Sequence, residues 1–189
     1  MSNFPKASEK VFYFAYGQNR DSEMIEAITG RKPGVSYEAV LKDYELCVQN
    51  LGQIPEIPRG IVARYWEGEL NFKARILRPK KGSQVKGTVH LLSPDEWEMK
   101  KNYELVEVGW SEERPITIPG VSEGSQINAV TEVLGPDQEV ERVEDGMDPN
   151  LSLFLNDREK TIQIASQVRR EFLQRVKGEG QSTTGELKQ

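Results

Sequence analysis

Cysteine and histidine are almost absent from this chain. Its 189 residues include one of each, Cys47 and His90. A single cysteine cannot form a disulfide within the chain, and a zinc site needs three or four nitrogen or sulfur ligands. We therefore expect no metal and no other cofactor. With so little cysteine, and no apolar signal-like core among residues 1–10, we expect a cytoplasmic protein.

Long apolar runs and an excess of positive charge are also missing. The longest apolar run, residues 11–16, is far shorter than the about 20 residues that a membrane-spanning helix needs. The chain carries 25 basic and 30 acidic side chains, a net charge of −5, whereas binding to a phosphate backbone requires concentrated positive charge. We therefore expect neither a membrane nor nucleic acid among the partners.

The sequence does contain strand-like segments separated by turns. A domain typically takes roughly 100–200 residues, so we assign residues 1–177 to one domain and residues 178–189 to a disordered tail. The aromatic run at residues 11–16 predicts a strand buried on both faces. Further strands are predicted at residues 35–41, 44–48, 61–66, 72–77, 85–92, 114–118 and 127–134, with loops at residues 52–58 and 79–82. Together with three helices, these segments predict an α+β fold on a curved or closed sheet.

Each of the three predicted helices has a recognisable beginning. The first follows Asp21 or Ser22, which are good N-cap residues. The second begins at Ser93, where the sequence SPDE forms a capping box with proline at the first helical position. The third is predicted to begin at an Asn156 cap and to end at Gly178.

The turn after the first strand is the first candidate site. A buried strand that ends at Gly17 and leads directly into a helix places backbone N–H groups at a helix N-terminus, where anions bind. The alternative is a simple bend in which Gly17 and Asn19 have no further role. Since the chain has neither a G-x-G-x-x-G motif nor a Walker lysine, a nucleotide is not expected there.

Glu104, near the end of the second predicted helix, is the other candidate. On a helical wheel it lies beside Trp97, and a carboxylate partly desolvated by an aromatic ring has a raised pKa that suits a general base. The alternative is a solvated glutamate paired with Lys100 four residues earlier.

Three segments together resemble the γ-glutamylcyclotransferase-like family. Residues 13–19, YFAYGQN, resemble the family's YFAYGSN signature loop. Residues 85–93, VKGTVHLLS, are similar to its V-x-G-x-x-x-x-L strand. Tyr103 and Glu104 follow one helix later, where the family carries its acidic catalytic residue. The resemblance covers about residues 11–134.

The chain departs from the family pattern at several positions. Gln18 replaces the serine of the signature loop, Leu105 replaces the glycine that commonly follows the glutamate, and Trp110 stands where a tyrosine is expected. The family's later A-x-x-Y-x strand is only loosely matched by residues 129–133. These differences concern the identity of the substrate more than the fold.

The resemblance implies a small mixed β-barrel flanked by helices, and an enzyme that releases 5-oxoproline from a small γ-glutamyl amine or amino acid. In that reaction the substrate's own amino group attacks its γ-carbonyl, and a carboxylate moves the proton. The matching carboxylate is Glu104, with Glu107 as a rival. The signature loop would hold the glutamyl carboxylate or the developing oxyanion. The implied substrate-binding residues are Tyr16, Gly17, Gln18, Asn19 and Trp110.

Two other functions stay open at this point. A catalytically inactive binding or regulatory module would keep the same cavity without turnover, which the three substitutions favour. An unrelated β-barrel interaction protein would have no cavity between residues 16–19 and Glu104. The leaving group also stays open among an amino acid, a polyamine and a dipeptide, and no pattern specifies the oligomeric state or the role of the acidic segment 139–148.

Overall fold

A computed structural model describes residues 9–67 and 71–182 of the chain. The strands in these residues are β1 (Val11–Ala15), β2 (Ser36–Asn50), β3 (Lys73–Leu92), β4 (Ser111–Pro119), β5 (Gln126–Leu134) and β6 (Arg142–Glu144). The α-helices are α1 (Ser22–Thr29), α2 (Glu56–Trp66), α3 (Pro94–Tyr103) and α4 (Arg158–Ser182), and the 3-10 turns are Gly17–Arg20, Leu51–Gln53 and Val106–Val108. None of the helices in the described ranges combines the length and apolar character that a bilayer crossing requires.

The six strands form one curled sheet in the order β4-β5-β1-β3-β2-β6. The short central strand β1 runs antiparallel to β3 and parallel to β5. Where β1 ends, β5 pairs directly with β3 at Val133 and Leu77, and the sheet curls into a half-barrel. The predicted α+β class, with a curved mixed sheet and flanking helices, is confirmed.

Residues of β1 contribute to both faces of the sheet, as the sequence predicted. Because successive side chains of a strand point to opposite faces, Phe14 packs inside the half-barrel with Leu77 and Val85. Tyr13 packs on the other face, in a cluster that includes Met24 of α1 and Trp97 of α3. The strand therefore connects the interior of the half-barrel to the helical layer.

The predicted loop at residues 79–82 is wrong, because β2 and β3 form one long antiparallel ribbon across it. The pairing register shifts between Lys42 and Tyr44, where Asp43 adopts a φ of 64°. The Asp43 carboxylate also accepts a hydrogen bond from the backbone N–H of Gly82 at 2.9 Å. The irregular pairing leaves residues 80–83 of β3 opposite the single residue Asp43 of β2. A bulge in β3 thus accommodates residues that would otherwise read as a turn.

The predicted strand at residues 61–66 is also wrong, and the predicted loop at residues 52–58 is wrong from Glu56 onward. These residues belong largely to α2, which begins at Glu56. Pro58 is compatible with the first helical turn, where backbone N–H groups have no intrahelical partner. Val62 and Trp66, four residues apart, form the buried face of the helix and pack against Phe72. A short apolar run is compatible with the periodicity of a strand and with that of a helix, and here tertiary packing stabilises the helix.

Helix α4 begins one residue later and ends later than the sequence predicts. The Asp157 carboxylate accepts from the Lys160 N–H at 2.7 Å, whereas the Asn156 amide bonds to the backbone N–H and C=O of Lys73. Gly178 does not end the helix, which continues to Ser182, because a helical glycine costs only about 1 kcal/mol. The first part of the predicted tail is therefore helical, and residues 183–189 lie outside the described residues.

Candidate functional site

The turn after β1 and the end of α3 meet in space. The Asn19 amide nitrogen donates to Oε1 of Glu104 at 2.5 Å, across 85 positions of sequence. The same nitrogen lies 3.1 Å from the Tyr13 hydroxyl. Beside this contact, Gln18 Nε2 lies 3.4 Å from the Tyr103 hydroxyl. The two candidate positions of the sequence are therefore neighbours in one site.

Two glycines allow the turn to take this shape. Gly17 has a φ of +62°, which glycine adopts without the steric cost that a Cβ brings. A Cβ at Gly17 would also lie only 3.3 Å from Cδ of Arg75. Below the turn, a Cβ at Gly87 would lie 2.5 Å from the carbonyl oxygen of Ala15. Gly87 thus lets β3 approach β1 closely just before the turn begins.

His90 fixes the backbone of the turn from below. Its Nε2 lies 2.9 Å from the carbonyl oxygen of Asn19, and its Nδ1 lies 2.7 Å from the hydroxyl of Ser36. Burial lowers the pKa of His90, so its ring is neutral near pH 7. A neutral ring donates from Nε2 to Asn19 and accepts from Ser36. The single histidine is therefore a structural support of the site.

The turn after β1 and the end of α3 both contribute residues to the wall of a cavity of about 730 Å³, a size typical of small-molecule sites. Tyr13 and Glu132 contribute to its polar wall together with the predicted residues. Gly17, also a predicted site residue, is not among the residues that line the cavity and lies next to the side chain of Arg75. The predicted site residues that line the cavity are Tyr16, Gln18, Asn19, Glu104 and Trp110.

The two rival carboxylates occupy different environments. Glu104 is half-buried at the C-terminal end of α3 and lines the cavity. Glu107 is exposed, lies in the following 3-10 turn and is not part of the cavity lining. Of the two carboxylates, Glu104 is the one that faces the cavity.

A buried ion pair underlies the site. The Lys100 ammonium contacts the Glu132 carboxylate, and the two side chains are 0% and 2% exposed. The ammonium also lies 3.9 Å from the centroid of the Tyr13 ring. Burial lowers the pKa of Lys100 to about 7, although the negative charge of Glu104 acts to raise it. The alternative in which Lys100 pairs with Glu104 on a solvated helix face is therefore wrong.

Three tyrosines of the cavity wall keep their protons at neutral pH. Burial, reinforced by the negative charge of Glu104, raises the pKa of Tyr13, Tyr16 and Tyr103. The Tyr16 hydroxyl is already used, because it donates to the backbone carbonyl of Glu132 at 2.9 Å. The Tyr103 hydroxyl receives a hydrogen bond from Gln18, and the Tyr13 hydroxyl receives one from Asn19. They therefore present neutral hydrogen-bonding groups beside a carboxylate.

Apart from Oε1 of Glu132, which contacts the Lys100 ammonium, two buried polar atoms of the wall have no hydrogen-bond partner among the described residues. They are Oδ1 of Asn19 and Oγ of Ser111. Buried polar atoms in folded proteins are almost always paired, so these two atoms are suited to hydrogen bonds with a bound molecule.

No protein-family model and no curated protein sequence matches this chain. Its structure, in contrast, is similar to solved ones. A structure described as γ-glutamyl cyclotransferase aligns with a TM-score of 0.53 at 18% identity, over 70% of each chain. The chain has the γ-glutamyl cyclotransferase fold. A human structure described as uncharacterized protein LOC79017 aligns with a TM-score of 0.52 at 18% identity, also over 70% of each chain.

Several residues around the cavity of this fold were not predicted from the sequence. Lys100 and Glu132 lie on different elements, and no local pattern relates them. Gln49 is completely buried and accepts a hydrogen bond from Nε1 of Trp110 at 3.0 Å. Phe72 forms part of the cavity wall, but in the sequence it reads only as a strand residue. Tyr13 is the one cavity residue among these that the sequence could have indicated, because it begins the segment 13–19 that resembles the family's signature loop.

Proposed function

We propose that this protein is a γ-glutamylcyclotransferase-like enzyme that releases 5-oxoproline from a γ-glutamyl amine or amino acid. The observation that carries the proposal is the 2.5 Å contact between Asn19 of the signature turn and Glu104 in the wall of a cavity of about 730 Å³. The fold shared with a γ-glutamyl cyclotransferase supports the same conclusion.

The reaction needs one group that moves a proton. A bond forms between the substrate's α-amino nitrogen and its γ-carbonyl carbon, and the bond from that carbon to the leaving nitrogen breaks. The attacking nitrogen loses one proton and the leaving nitrogen gains one, so a single carboxylate serves both transfers. Glu104 takes this role, and its contact with Asn19 fixes its orientation. Because the attack is intramolecular, holding the reactive rotamer supplies much of the acceleration.

The wall around Glu104 suits the α-amino group of a glutamyl substrate. The unpaired Oδ1 of Asn19 is an acceptor close to the carboxylate of Glu104, and an amine needs acceptors of this kind. The neutral Tyr13 hydroxyl adds a further hydrogen-bonding group. Backbone N–H groups of residues 17–19 hold the glutamyl carboxylate or the developing oxyanion.

The test is release of 5-oxoproline from a panel of γ-glutamyl amino acids, γ-glutamyl amines and γ-glutamyl dipeptides. Glu104→Gln is expected to reduce kcat by about 10²–10⁴-fold, the usual contribution of a general acid–base group. Glu107→Gln, three residues away and exposed, is the matched control and is expected to keep the wild-type rate. Equal product from wild type and Glu104→Gln would remove Glu104 from the mechanism. Thermal stabilisation by these compounds without any product would instead indicate an inactive binding module.

A further inference from the structure

An apolar wall forms part of the cavity. It consists of side chains from α2, α4 and the segments that flank β3 and β4. The ring centroids of Trp66 and Phe72 are 5.3 Å apart, and those of Phe72 and Trp110 are 6.4 Å apart, so the three rings form a continuous row. Leu105 and Val168 pack against this cluster. We call these five residues the aromatic wall; all of them line the cavity.

Leu105 contributes to the aromatic wall from an unfavourable backbone conformation. Its φ and ψ of 54° and 34° are left-handed, a region that glycine adopts freely and leucine rarely does. Strained backbone of this kind persists where the side chain has a use that the surroundings maintain. Here the Leu105 side chain is half-buried, packs against the other residues of the aromatic wall and lines the cavity.

The aromatic wall lies where a leaving group would extend. The leaving nitrogen must come within hydrogen-bond reach of Glu104 to receive its proton. Leu105 is the next residue in the chain and lines the same cavity, so the aromatic wall begins directly beside Glu104. A γ-glutamyl group is only one amino acid in size and leaves a large part of the about 730 Å³ cavity unfilled.

The carboxylates that line the cavity besides Glu104 are already engaged. Among the described residues that line it, the carboxylates other than Glu104 are Glu132 and Glu171. Glu132 contacts Lys100, and Glu171 accepts hydrogen bonds from the Tyr65 hydroxyl and from Gln167. A second ammonium group, as in a polyamine, therefore finds no unengaged carboxylate there.

We propose that the leaving group is an amine with a bulky apolar body, of the class of the aromatic amino acids, and that the aromatic wall binds this body. This inference rests on the proposed function, because it assigns the other half of the same cavity. Trp110 presents its ring to the substrate, while its Nε1 is held by Gln49. Leu105 determines how closely the side chain of the leaving amine packs.

The experiment compares γ-glutamyl-phenylalanine, γ-glutamyl-alanine and γ-glutamyl-putrescine as substrates of the full chain. We expect kcat/KM for the phenylalanine compound to exceed the other two by about 10-fold or more, the discrimination typical of an apolar pocket. Leu105→Gly relieves the backbone strain, so it folds, and we expect it to lower the phenylalanine-to-alanine ratio by about 10-fold. Asp137→Gly is the matched control, because Asp137 also has a positive φ, 61°, but is exposed and outside the cavity lining.

The outcomes separate the two proposals. Release of 5-oxoproline with equal kcat/KM for all three compounds, or with a preference for alanine or putrescine, overturns the inference and leaves the proposed function standing. An unchanged ratio in Leu105→Gly overturns the role of the aromatic wall. If no compound is turned over, the proposed function fails, and the thermal shifts then decide the inference. Greater stabilisation by the phenylalanine compound than by the alanine compound supports the aromatic wall, and equal shifts overturn it.

Discussion

Removing the ammonium of Lys100 directly tests the buried ion pair between Lys100 and Glu132. We consider Lys100→Met, because methionine keeps the unbranched shape and removes only the charge and the N–H groups. The substitution leaves the buried carboxylate of Glu132 without its partner. It also removes a cation that lies 3.9 Å from the ring centroid of Tyr13 and 4.9 Å from that of Trp97.

The cost follows from the burial of both partners. Breaking a buried ion pair from one side typically destabilises a protein by about 3–5 kcal/mol, because an uncompensated charge is left in a medium of low dielectric constant. For a chain of 189 residues, each kcal/mol lowers Tm by roughly 2–4 °C. We therefore expect Tm to fall by roughly 6–20 °C. Replacing both partners with apolar residues, Lys100→Met with Glu132→Leu, is expected to recover most of this loss, since no buried charge remains.

Urea unfolding at pH 6, with Tm as a second measurement, checks this expectation. Lys101→Met is the matched control: Lys101 is the next residue, and its pair with Glu98 lies at the surface. Surface pairs contribute only about 0–1 kcal/mol, so this variant should unfold close to wild type. A Lys100→Met protein as stable as wild type would refute the buried pair. A double variant no more stable than Lys100→Met would show that the cost comes from packing instead of charge.

Two further predictions concern titration and positioning. Because burial lowers the pKa of Lys100 to about 7 while the unfolded side chain titrates near 10.4, the unfolded state binds more protons between these values, and stability should rise with pH in this window. Chemical denaturation from pH 6 to 10 would show the rise, and an equal rise in Lys100→Met would contradict the assignment. Asn19→Ala removes the 2.5 Å contact to Glu104 and is expected to lower kcat by about 10–100-fold, since a misplaced catalytic group costs on the order of 10². Steady-state kinetics that show a raised KM with unchanged kcat would indicate that Asn19 binds substrate without orienting the carboxylate.

The elements that the sequence predicted well are those with local causes. The Ser93 capping box forms with both of its reciprocal hydrogen bonds, and the Asp21 carboxylate caps α1. The signature turn follows a strand whose apolar run has no polar alternation. Each of these features depends on residues within a few positions of each other, so propensity and capping rules apply to them directly.

The features that the sequence missed depend on contacts between distant residues. The ribbon of β2 and β3 continues through Pro79 because Pro79 pairs with Tyr44 at the edge of the bulge that residues 80–83 form. A lysine on a helix is expected at the surface, and only β5, which supplies Glu132, makes the burial of Lys100 possible. The aromatic wall is likewise assembled from separate elements, so its members read individually as ordinary core residues.

The three departures from the family pattern are not scattered in space. Gln18 reaches across to the Tyr103 hydroxyl, and Leu105 and Trp110 pack in one apolar cluster; all three line the same cavity. The contact between Asn19 and Glu104 is nevertheless intact. Under the proposed function, a wall that differs from the family pattern around an intact contact between Asn19 and Glu104 is expected of an enzyme of altered specificity, and not of a binding module that has lost its reaction.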